Sequence, residues 1–107
     1  MTLDTSYEIE AGQLIEARMA ELRALTFEQA QALPEASGDE QRLGGIPCSV
    51  TVFAQPNPYS LPNAVLVTVQ VARKGFLGSR HIERGLVFVS GQAAREASRD
   101  ELQNAGG

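Results

Sequence analysis

The sequence predicts an α+β domain of order α-α-β-β-β-α: two N-terminal helices, a three-stranded antiparallel meander and a C-terminal helix. Three observations predict it. Apolar residues recur at helical spacing through the first quarter of the chain, the period changes to two from Ile46, and helix-forming residues return after Ser90. At 107 residues the chain has room for one ordinary domain, since domains run to about 100–200 residues.

The first helix is placed over residues 7–24. Thr5-Ser-Tyr-Glu8 has the form of a capping box, and Tyr7, Ala11, Leu14, Ile15, Met19, Leu22 and Leu25 share one stripe at about 100° per residue. Thr26-Phe-Glu-Gln29 repeats the capping pattern and Pro34 forbids continuation, which gives a short second helix over 27–33. Residues 35–45 are polar and glycine-bearing without apolar periodicity, and they read as a loop. Cys48, Val50, Val52 and Ala54 then alternate with polar neighbours in a strand over 47–55. The stretch 56–63 carries three prolines and reads as a stiff connection. Residues 64–74 form the strongest strand, with valine at 65, 67, 69 and 71, and a third strand covers 80–90 with Gly85 as a bulge. The segment 91–102 reads as a helix capped by Ser90 or Gly91.

Charge excludes some functions. The net charge of −4 and pI near 4.9 disfavour a protein that coats nucleic acid or an anionic membrane over its whole surface. Residues 1–43 carry a balance of −6 and residues 44–107 a balance of +2, an asymmetry that one fold neutralises internally. A single cysteine forms no intrachain disulfide, the acidic N-terminus does not read as a secretory signal, and no apolar run approaches the roughly 20 residues of a membrane span. The expected setting is cytoplasmic.

The catalytic inventory is thin. Cys48 and His81 are the single cysteine and histidine, without a local signature to join them, and they read as a buried small hydrophobe and a half-exposed strand residue. No HExxH, GxSxG, P-loop or GxGxxG spacing occurs, so neither a metal site nor a cofactor is expected. Asp39-Glu40 and Asp100-Glu101 read as solvated acids. A non-enzymatic role follows as the expectation.

Two surfaces stand out as binding candidates. Arg73, Lys74, Phe76, Leu77 and Arg80, with Arg84 beyond, place an apolar loop tip between bases, suited to docking on a partner protein unless Phe76 folds back onto the core edge. Nucleic-acid binding through this basic 73–84 hairpin, His81 included, is the alternative, which the pI disfavours. The second surface is the sheet face bearing Thr51, Phe53, Leu66 and Thr68, which one short Ala-rich helix does not fully hide. Together with Arg18, a charge set within the apolar stripe of the first helix, Phe53 and Leu66 point to self-association as a homodimer. Tyr59 in the proline stretch reads as stiffening first and recognition second. The terminal Gly106-Gly107 is similar to the tail of ubiquitin-like modifiers in those two residues alone, and a predicted helix precedes it where those families have a ββαββ roll. A small enzyme or carrier is thus the third class.

Overall fold

The helical stripe of the sequence becomes the inner face of one long helix lying on a sheet. The computed structural model describes residues 3–73 and 80–105. In chain order it contains α1 (Leu3–Arg23), α2 (Phe27–Gln31), β1 (Ala36–Leu43), β2 (Ile46–Pro56), a 3-10 turn (Pro58–Ser60), β3 (Ala64–Arg73), β4 (Arg80–Val89), β5 (Arg95–Glu96) and α3 (Arg99–Ala105). The α+β class stands, but the three-stranded meander is corrected to a five-stranded antiparallel sheet in sequential order.

Each correction has a local cause. β1 occupies what reads as loop because it is an edge strand whose residues 36–40 are exposed on both faces, so no apolar alternation marks it. Gly44 and Gly45 take φ of +58° and +80°, the double positive φ of a two-residue hairpin that closes Leu43 onto Ile46. The expected helix over 91–102 begins only at Arg99, because Ala97 donates to the Gly85 carbonyl at 2.8 Å and Arg95–Glu96 pair with β4 first. Ser98 and Glu101 then cap α3 reciprocally, the Glu101 N–H to Ser98 Oγ at 3.2 Å and the Ser98 N–H to Glu101 Oε1 at 3.0 Å. α1 is already helical at Leu3, so Thr5–Glu8 is not its start; residues three apart are also neighbours inside a helix, and spacing alone does not separate the two cases. The Thr26–Gln29 capping box does form, with bonds of 2.8 and 3.1 Å. Gly85 is no bulge: β3 and β4 stay in register from Ala64↔Val89 to Arg73↔Arg80, and a Cβ on Gly85 would lie 2.8 Å from Leu102 Cδ2 and 3.0 Å from the Val67 carbonyl.

The main core lies between α1 and the sheet. Tyr7, Ala11, Ile15, Met19 and Leu22 of α1 meet the valines at 65, 67, 69 and 71 of β3, with Leu86 and Phe88 of β4 beside them. A smaller cluster of Leu66, Val87 and Ala97, flanked by Val89 and Leu102, lies on the opposite face beneath α3. Arg84 ties the helix layer to the sheet edge: it pairs with Glu16 of α1 and forks onto Glu96 of β5 at 2.6 and 3.0 Å, and Arg23 reaches the same Glu96 at 3.1 Å. Among the described residues no helix is long and apolar enough to cross a membrane.

Candidate functional site

Strand alternation divides the chemistry of the chain between two faces. On the face away from α1, the register sets Phe53 beside Thr68, Thr51 beside Gln70 and Ser49 beside Ala72, with Gln55 beside Leu66 at one end. β4 continues these rows with Gly85, Glu83, His81 and Val87. Helix α3 covers only the Leu66–Val87 end. Phe53 therefore remains 38% exposed in mid-sheet. It opens onto a groove of about 830 Å³ that wraps the end of β2 beyond its pairing with Ala36: Leu66, Thr68, Glu83 and Leu102 border it on this face, Ala54 and Val65 on the α1 side, and Glu35 and Leu33 where the chain enters β1.

α3 forms one wall of the groove and is held by specific contacts. Arg95 grips Glu101 through two bonds of 2.7 Å, and the Tyr59 hydroxyl donates to the Glu101 carbonyl at 2.9 Å. Tyr59 thus ties the proline loop to α3. The Arg95 guanidinium, aided by the Ser98 N–H, holds the Glu101 carboxyl down to about 2 from the ordinary 4.5. Folded Glu101 stays charged to that pH, whereas an unfolded glutamate takes up its proton near 4.5, so the pairing stabilises α3 above pH 4.5 and is lost as pH falls toward 2. The amides of α3 are expected to lose hydrogen-exchange protection over that interval ahead of the β3 amides. Glu101→Gln should show the loosened α3 already at neutral pH; equal acid sensitivity in both proteins would remove the pair from this role.

The residues singled out from the sequence fall into separate places. Phe53 and Leu66 share the groove, but Leu66 is buried under α3 and only Phe53 is open. Arg18 lies on α1, on the other side of the sheet, paired with Glu21 at 3.3 Å and bordering a shallow groove over Val50 and Val52. One continuous surface does not hold all three. Arg73 lies over the Tyr7 ring at 5.7 Å on the helix side, where Arg84 is occupied by Glu16 and Glu96. Donating hydrogen bonds to Glu96 raises the Arg84 pKa further, and the Arg84 guanidinium in turn holds Glu96 below the usual carboxylate range. Lys74, Phe76, Leu77 and the side chain of Arg80 lie outside the described residues.

Cys48 and His81 do not meet. Cys48 is fully buried on the helix side, its thiol donating to the Gln41 carbonyl at 3.4 Å, while His81 is exposed on the other face. Burial, reinforced by Asp39, pushes the Cys48 thiol up, which favours the protonated, unreactive form. Among the described residues no three His, Cys, Asp or Glu side chains converge as a metal site would require. Sequence reasoning missed Glu35, Glu83 and Leu102 as groove residues. The Ser98-Arg-Asp-Glu101 capping pattern was the available signal for where α3 begins, and hence for Leu102.

No protein-family model matches the chain, and no match was found among curated proteins or solved structures.

Proposed function

We propose that this chain is a non-catalytic, cytoplasmic interaction module that binds another protein through the open face of its sheet. One observation carries the reading: a phenylalanine, 38% exposed at mid-sheet, faces a groove whose far wall is the short helix α3. Aromatic side chains anchored in such depressions supply much of the energy of protein interfaces once a partner excludes water from them. Separation of Cys48 and His81 onto opposite faces supports a role without nucleophilic catalysis. Among the described residues no comparable observation favours nucleic acid: Arg84 is paired with two carboxylates and Arg73 lies over the Tyr7 ring.

The test is Phe53→Thr, which matches the threonines at 51 and 68 in size and strand preference. Half-exposed, the ring contributes about 1 kcal/mol to stability, so the variant should stay folded with a melting point lowered by a few degrees. A protein captured from source-cell lysate by the wild type, then purified, is expected to bind the variant at least about tenfold more weakly and to be indifferent to nuclease. Unchanged affinity would contradict the reading. A dimeric mass in solution that Phe53→Thr converts to monomer would replace the partner with a second copy of this chain.

A further inference from the structure

The groove has a chemical sign. Its floor and walls are apolar at Phe53, Leu33, Leu66 and Leu102, and its polar uncharged members are glutamines and Thr68. The charged side chains that line it, among the described residues, are Glu35 and Glu83, without a lysine or arginine. Glu35 precedes β1 and Glu83 lies on β4, three strand spacings or about 14 Å across the sheet and, because Glu83 aligns with Gly38 through Gln70 and Thr51, three residues or about 10 Å along it. The diagonal of about 17 Å is covered by about five residues of extended chain. The protein as a whole carries −4, which draws cationic partners toward it over longer range.

Resting on the open-face reading above, we propose that the groove receives an extended peptide segment of a partner protein, apolar over about five residues and carrying lysine or arginine at one or both ends. The apolar side chains cover Phe53 and the Leu102 wall. The cationic ends meet Glu83 and Glu35 at the rim, where water-exposed pairing adds steering and selectivity more than raw affinity. An acidic segment is rejected, because its charge would face two carboxylates with no counter-charge among the described lining residues.

The experiment pans a phage-displayed library of random dodecapeptides against the full chain, then measures synthetic copies of the enriched sequences by fluorescence polarisation at low and high salt. Enrichment of lysine or arginine beside aliphatic or aromatic residues is expected. Binding should weaken about tenfold in Glu35→Gln/Glu83→Gln, lose its salt dependence there, and weaken at least as much in Phe53→Thr. Both substitutions with glutamine lie at the surface and leave the core intact. Apolar or acidic peptides that need Phe53 but are indifferent to the two carboxylates would overturn the basic partner and leave the open-face reading standing. No enriched peptide, or enriched peptides indifferent to Phe53→Thr, would overturn both.

Discussion

Leu86→Ala is expected to lower the folding free energy by about 2–5 kcal/mol, the range for leucine truncation in a packed core. Leu86 is fully buried, sits opposite Val67 on β4, and belongs to the cluster that joins α1 to the sheet. A domain of this size has roughly 5–15 kcal/mol to lose, so this single change removes a large share of it. Urea unfolding followed by far-ultraviolet circular dichroism reads the effect. Truncation of Leu102, partly buried in the small cluster under α3, should cost about 1 kcal/mol and loosen α3 alone. A loss below about 1 kcal/mol for Leu86→Ala would mean that the helix layer is not packed on β4 as described.

Gly44→Ala is the second large effect. Its φ of +58° disfavours any side chain, and a Cβ there would lie 2.6 Å from the backbone nitrogen of Tyr7 and 2.9 Å from the carbonyl carbon of Ser6. Both obstacles are backbone atoms of α1, which do not swing aside. Positive φ costs an alanine about 1–2 kcal/mol and overpacking adds about 1–3, so a loss near 3 kcal/mol is expected. Gly45 is the control: its φ is +80°, but a Cβ at that position would meet nothing within 4 Å, so Gly45→Ala should cost about 1 kcal/mol. Equal losses for the two variants would show that the hairpin turn does not rest on α1.

Much of this architecture was legible because burial writes periodicity into sequence. Tyr7, Ala11, Ile15, Met19 and Leu22 of the α1 stripe and the valines of β3 are buried where their spacing places them, and Leu14 packs half-buried at the margin. β1 was illegible for the converse reason: with Ala36 to Glu40 exposed, an edge strand held by backbone bonds to β2 carries no apolar signature. Its one signal, Gly44-Gly45 between Leu43 and Ile46, has the form of a hairpin turn but reads equally as a flexible loop. β5 is two residues long and has no period to detect.

The candidate site was half legible. Phe53 and Leu66 could be placed on one sheet face from alternation alone, and they do share a groove. That Leu66 is covered and Phe53 is not depends on where α3 lands, which Ser98 and the Arg95–Glu101 pair determine through tertiary contacts. Helical projection sets Arg18 within the apolar stripe, yet it is only partly buried and turns toward Glu21. Glu35 and Glu83 are 48 positions apart and become partners in one groove only when β1 to β4 are laid side by side.

The most direct test of the open-face account is a titration of the nitrogen-15-labelled protein with the tightest peptide from the panning, followed by amide chemical shifts. Shifts concentrated on Phe53, Leu66, Thr68, Glu83 and Leu102, absent in Phe53→Thr, are the predicted result. Shifts confined to the outer side of α1 or to residues 74–79, with Phe53 and its neighbours unmoved, would contradict it.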